Sequence, residues 1–177
     1  MSAGGTGGAL SDGEEAVVAS MPGTGGAGIR RAGAGDVAAV VALLADDVRG
    51  AERETPGDLA PYRDAFARID ADPRTLPAVA VRGGTVVGTL QLTFLDGLSH
   101  RGGRRAQIEA VRVAAAERGR GLGSAMMAWA VEQARSRGCR TVQLTSDAAR
   151  ADAHRFYSRL GFVASHTGFK LALEDPR

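Results

Sequence analysis

One cysteine, one lysine and a 5% share of aromatics are the clearest shortages in this chain, and each excludes something. With Cys139 as its sole thiol the chain forms no internal disulfide and suits a reducing compartment, so the cytoplasm is the expected location. No stretch approaches the ~20 consecutive apolar residues of a membrane span. The N-terminus lacks the basic start and apolar run of a secretory leader, so no membrane partner is expected. The formal charge of +2 and pI of 9.2 are mildly basic, but scattered arginines carry the excess and Lys170 is the only lysine. Nucleic-acid binding calls for a concentrated basic patch with interleaved aromatics, so no nucleic-acid partner is expected. His100 and His166 have no partners at metal-ligand spacing, and no metal site is expected.

What the chain has in quantity is glycine, much of it near the start. Residues 1–28 are a Gly/Ala-rich segment that cannot bury enough apolar surface to offset its ordering entropy. They read as a disordered tail, with Met21 as an alternative start. Residues 29–177 then fit one domain. Residues 29–31 suggest a first strand, and Asp36 stands as N-cap before Val37, Val40, Val41, Leu43 and Leu44 at helical spacing. A weaker helix over 59–69 stops at Asp72-Pro73. Residues 78–82 and 85–94 form a hairpin around Gly83-Gly84, and 107–113 is another strand. The strongest helix spans 122–137, with Leu122, Met126, Met127, Ala130, Val131 and Ala134 in one stripe and Gly138 ending it. A buried strand over 141–145, a helix over 151–160 and one or two strands within 162–173 complete the pattern. Strands and helices mix around one sheet, an α/β arrangement.

The most informative stretch is Arg118-Gly119-Arg120-Gly121-Leu122-Gly123-Ser124, between a strand and the strongest helix. Glycines let backbone approach a ligand closely, and the helix N-terminus adds free N–H groups and a positive dipole end, a combination suited to a diphosphate. A P-loop is excluded because no lysine is available. A dinucleotide site is the stronger rival, since Asp147 follows the next strand where a ribose-binding acid would stand. Its glycine frame fails, however: Gly119 and Gly121 lead to Ser124, and Gly121 and Gly123 lead to Met126.

The frame that does fit is R-x-x-G-x-G on Arg118, Gly121 and Gly123. Here the sequence resembles the GNAT acetyltransferase superfamily. Downstream, the stretch Ala153-His154-Arg155-Phe156-Tyr157-Ser158-Arg159-Leu160-Gly161-Phe162 is similar to the family's A-x-x-F-Y-x-x-L-G-F signature. The resemblance implies an α/β (α+β) fold, a single mixed, mostly antiparallel central sheet flanked by about four helices. It implies acetyl-CoA as cosubstrate, its pyrophosphate on Arg118, Gly119, Arg120, Gly121, Leu122, Gly123 and Ser124. The pantetheine arm and thioester would lie along the backbone of Val111, Arg112 and Val113. One departure is Arg150, where many members carry Asn. The stretch from Arg150 to Tyr157 resembles small-amine members, aminoalkylphosphonate acetyltransferases among them. A homodimer is compatible with the resemblance.

Moving an acetyl group from a thioester to an amine needs a base for the ammonium, donors for the oxyanion and an acid for the thiolate. By resemblance, a backbone N–H near Val113 is the oxyanion donor and the Tyr157 phenol is the acid. Period-two alternation puts Gln107, Glu109, Val111 and Val113 on one strand face, which makes Glu109 the candidate base, acting directly or through water. A β-bulge would reverse that parity. Glu109 could instead pair with Arg104, Arg105 or Arg112, and His154 is the rival base. The reading is an N-acetyltransferase acting on the primary amine of a small molecule in a ternary complex. The alternative is a non-catalytic acyl-CoA-binding or regulatory module. Arg101, Arg104 and Arg105, in a Gly-rich loop leading into the Glu109 strand, suggest either recognition of an anionic group on the substrate or a solvated surface.

Overall fold

The computed structural model describes residues 19–46 and 48–173. Six strands form one sheet in chain order: β1 Ala19–Ser20, β2 Gly28–Arg31, β3 Thr75–Arg82, β4 Thr85–Leu95, β5 Arg105–Val113 and β6 Thr141–Leu144. Neighbours pair antiparallel except β5 and β6, which run parallel. The sheet is therefore mixed and mostly antiparallel, and among the described residues six helices accompany it. They are α1 Val37–Ala45, α2 Val48–Arg53, α3 Ala60–Ala71, the single turn α4 Ser99–Gly102, α5 Leu122–Ser136 and α6 Ala151–Arg159.

The main core lies between α5 and one sheet face. Leu122, Met126, Met127, Ala130 and Ala134 recur at helical spacing on α5, each at most 1% exposed. They meet Leu90, Leu92, Phe94, Ala106 and Ile108, which alternate along β4 and β5 on the same face. Large apolar side chains buried this way stabilise a fold by about 1.5–3 kcal/mol each. Close approach of the helix depends on Gly88, where a Cβ would stand 2.7 Å from Met126 Sδ. The opposite face, carrying Val79 and Thr89, lies against α1 and α3.

Four features depart from expectation. The tail reading extended to residue 28, yet the described fold begins at Ala19, and Met21, Thr24 and Ala27 are buried. The physical reason is a compact turn: Thr24 Oγ1 donates to the Met21 carbonyl (2.6 Å), and the Met21 N–H donates to the Ala27 carbonyl (3.1 Å). Residues 1–18 lie outside the described residues. Asp36 stands at the N-cap position of α1, but its carboxylate instead accepts the Gly33 N–H (2.8 Å) and a bidentate pair from Arg30 (2.6 and 2.9 Å). The Arg30 hydrogen bonds hold the Asp36 carboxyl below the usual range.

The strand expected to be buried, β6, is instead the sheet edge: Thr141 and Gln143 are exposed while Val142 and Leu144 are half-buried. Residues 162–173 form no strand at all. Phe162 packs against the core, while Val163, Phe169, Leu171 and Leu173 are exposed.

Candidate active site

The site begins where two parallel strands part. β5 and β6 pair from Arg105–Thr141 to Ile108–Leu144, and pairing stops there. Among the described residues β5 continues to Val113 with no strand on that side, leaving roughly 16 Å of strand backbone whose polar groups face a gap. Backbone groups in such a gap demand a partner, and an extended ligand can supply it.

Within the gap β5 carries a bulge. Gln91 faces Glu109 and Thr89 faces Arg112, so β5 uses three steps where β4 uses two, and Ala110 takes φ 54°. The extra residue reverses the side-chain parity. Val111 and Val113 turn to the α5 face and pack on the main core, while Glu109 stays on the face of Gln91 and Gln107. The expectation that Glu109, Val111 and Val113 share one face is therefore corrected. Glu109 is exposed at the bulge, and Arg112, half-buried, donates from Nη1 to the Val111 carbonyl (2.9 Å). Among the described residues Arg104 pairs with Asp96 rather than with Glu109.

The glycine loop closes one end of the gap. Gly119 and Gly121 have φ of 74° and 80°, a conformation that disfavours any side chain. The Ala125 N–H donates to the Gly121 carbonyl (3.0 Å), which leaves the N–H groups of Leu122, Gly123 and Ser124 at the open first turn of α5. Arg118 folds back over the loop, Nε donating to the Val113 carbonyl (3.0 Å) and Nη2 to Asp46 (3.0 Å). Arg120 reaches only the edge of Glu117 (3.8 Å) and is otherwise exposed. Gly123 packs between α6 and β5: a Cβ there would make ordinary contact with the Phe156 ring (3.5 Å) and Val113 Cγ2 (3.7 Å). The loop is braced by a pair that sequence reasoning missed. Glu117, 8% exposed, accepts two 3.0 Å hydrogen bonds from Arg82 on β3, and Arg82 also donates to the Thr24 and Gly25 carbonyls. The two residues are 35 positions apart, so nothing local marks them as partners.

The far wall is α6. Tyr157 is half-buried, with ring contacts to Phe156 (5.2 Å) and Phe162 (6.0 Å). Burial pushes its phenol above the usual tyrosine range, partly offset by the Arg150 and Arg112 charges. The hydroxyl therefore stays protonated at neutral pH and is available as a donor. His154 is exposed, and its Nε2 donates to the Asp147 carbonyl (2.9 Å). Ser146, just beyond β6, has a buried hydroxyl with no hydrogen-bond partner, a polar group of the kind a ligand satisfies. Burial pushes the Cys139 thiol above the usual range, partly offset by the Arg104 and Arg137 charges.

The arginine loop is elsewhere. Arg105 opens β5 and Val113 ends it, about 25 Å apart by strand rise. Arg104 pairs with Asp96 (2.7 and 3.2 Å), so the loop belongs to the surface at the other end of the sheet.

Comparison with known proteins agrees with this geometry. Residues 38–162 match the acetyltransferase (GNAT) family. An aminoalkylphosphonate N-acetyltransferase from Salmonella typhimurium is 38% identical over 116 residues, which covers 66% of this chain and 75% of that one. A transcriptional regulator from Bacillus halodurans C-125 superposes with a TM-score of 0.79 at 46% identity, covering 82% of this chain and 98% of its own. An acetyltransferase from Trypanosoma brucei gives a TM-score of 0.66 at 28% identity, covering 83% and 99%.

Proposed function

This chain belongs to the GNAT acetyltransferase family, and from that premise we propose that it transfers an acetyl group from acetyl-CoA directly to the primary amine of a small molecule. The observation that carries the proposal is the parting of β5 and β6 at Ile108 and Leu144, beside a loop with two left-handed glycines at a helix N-terminus. An open strand edge suits the amide-bearing pantetheine arm, and the loop suits a diphosphate. In this reading Val111, Arg112 and Val113 hold the arm through their backbone, and the loop from Arg118 to Ser124 holds the pyrophosphate. The thioester supplies the acyl group.

The chain's own residues then divide the proton work. Glu109 takes the ammonium proton, directly or through water, from the sheet face opposite Val111. A backbone N–H near Val113 stabilises the oxyanion as the amine nitrogen bonds to the acyl carbon. The C–S bond breaks, and Tyr157 O–H passes its proton to the departing sulfur. Because the Salmonella relative acts on aminoalkylphosphonates, these head the substrate panel. The 46% identical relative is a transcriptional regulator, which favours a second reading as a non-catalytic acyl-CoA-binding module.

Thiol release from acetyl-CoA with an amine panel, with products identified by mass spectrometry, tests both. Amine-dependent release and an acetylated product are expected. Tight cofactor binding without turnover on any amine would favour the second reading, and absence of binding would overturn both.

A further inference from the structure

Arg105, Gln107 and Glu109 alternate along β5 on the sheet face turned away from α5, because Ala106 and Ile108 between them enter the core. The register widens this strip on both sides. On β4, Gln91 lies opposite Glu109 and Thr93 opposite Gln107, and on β6 Gln143 lies opposite Gln107. Glu109 and Gln143 are exposed and the other four are half-buried, so the strip is open to a ligand.

Its charges are ordered. The Glu109 carboxylate stands at the gap, and Arg105 stands four residues away at the start of the strand, roughly 13 Å by strand rise. Among the described residues neither side chain makes an ion pair, and Asp96 at the Arg105 end is taken by Arg104 (2.7 Å). Their separation exceeds the screening length of about 8 Å at physiological ionic strength, so the two do not neutralise each other. Between them lie two amides, with Gln143 Nε2 donating to Gln107 Oε1 (2.8 Å). That bond uses one donor of Gln143 and one acceptor site of Gln107. An amide has two N–H donors and an oxygen with two lone pairs, so this pair can also bond a polar ligand.

We propose that this strip is the floor of the acceptor site and selects an elongated zwitterion, an amine with an anionic group roughly 13 Å from its nitrogen and hydrogen-bonding groups between. The inference rests on the reading of Glu109 as the group that meets the ammonium. The amine then lies on the Glu109 face, and the rest of the molecule can run along β5 over Gln107 and Gln143. A carboxylate or phosphonate at its far end meets the planar fork of Arg105. A bare alkyl chain would cover the amides without bonding them, which is costly, and a polyamine would bring a second cation to Arg105. An extended four-residue peptide has the required form, since at 3.3–3.6 Å per residue it spans about 13 Å. Short aminoalkylphosphonates would put their oxygens on the Gln107–Gln143 pair, about 7 Å from Glu109, and leave Arg105 to solvent.

The test offers glycine peptides from diglycine to hexaglycine, each as free acid and as C-terminal amide, to the full-length chain with acetyl-CoA. At tetraglycine the acid should exceed its amide in kcat/KM by about tenfold or more, the scale of a charge-assisted contact, and at diglycine it should not. Arg105→Gln should remove the preference, Arg105→Lys should keep part of it, and Arg104→Gln, whose side chain serves Asp96, should leave it intact. Circular dichroism and acetyl-CoA affinity check that each variant is folded. Calorimetry of tetraglycine with coenzyme A present separates this inference from the transfer reading. Binding that Arg105→Gln weakens about tenfold, without turnover, would retain the strip and remove acetyl transfer. Equal acetylation of acid and amide at every length, or a preference indifferent to Arg105→Gln, would overturn the strip and leave acetyl transfer standing. Neither binding nor turnover of any glycine peptide would also overturn it.

Discussion

Glu109 and Val111 are two residues apart on one strand and point to opposite faces of the sheet. The bulge at Ala110, with φ 54°, separates them. In the proposed mechanism the Glu109 carboxylate and the backbone assigned to the cofactor thus lie on different sides of the strand, so base and thioester would not compete for space.

If Glu109 is the base, Glu109→Gln should lower kcat most near neutral pH and recover in part at higher pH, where more of the amine is already unprotonated. A loss of about a hundredfold is in the range for a general base. Acetyl-CoA affinity should not change. Equal loss at every pH in a pH–rate profile would mean that Glu109 positions substrate.

The bulge itself is testable. A non-glycine residue in the left-handed region costs roughly 1–2 kcal/mol, so Ala110→Gly should be neutral or stabilising by up to about 1 kcal/mol. Ala110→Val should be destabilising because branching worsens the same clash. Urea denaturation of the three proteins gives the order, and Ala110→Gly falling below wild type would contradict the assigned geometry.

Gly121→Val places a branched side chain at φ 80° and blocks backbone approach on the loop. A Cβ at Gly121 meets nothing nearer than the Gly23 carbonyl at 3.9 Å, so the core should survive. Calorimetry should show acetyl-CoA binding weakened at least tenfold in a folded protein. Unchanged affinity would remove the loop from the cofactor site.

Arg82→Met should destabilise the fold and loosen the loop together. It leaves the Glu117 carboxylate, 8% exposed, without its bidentate partner, and breaking such a buried pair costs about 3–5 kcal/mol. The thermal midpoint should fall by several degrees, and bound acetyl-CoA should restore part of it. An unaltered midpoint would mean that the pair is solvated in solution.

Tyr157→Phe should reduce kcat strongly with little change in acetyl-CoA affinity. The wild-type rate should show no loss from phenol ionisation until the pH passes the usual tyrosine range, since burial raises this group. The stability consequence has a definite sign. A raised folded value means that the folded state holds its proton where the unfolded chain has lost it, so stability present below the unfolded value falls as pH rises through the folded one. Tyr157→Phe should flatten that alkaline decline in denaturation measured against pH.

The sequence alone determined the local parts of this protein. Alternation and helical spacing are set by backbone geometry, so the hairpin over β3 and β4, the α5 stripe and the R-x-x-G-x-G loop could be read without coordinates. The glycines at 119 and 121 announced their conformation because other residues avoid it. Tertiary structure decided whatever depends on which distant segments meet. The fold extends back to Ala19 because Arg82 and Glu117, brought together across the sheet, hold the turn at Thr24 and Gly25. The arginine loop was separated from the gap by the length of β5, which spacing in sequence does not convey. Whether β5 kept its alternation past Glu109 depended on β4 opposite, because a bulge is a mismatch between two strands and neither strand contains it alone. For the same reason the strand expected within residues 162–173 is not formed in the structure: backbone hydrogen bonds in a sheet belong to pairs of segments, and only the arrangement of those segments in space supplies the second one.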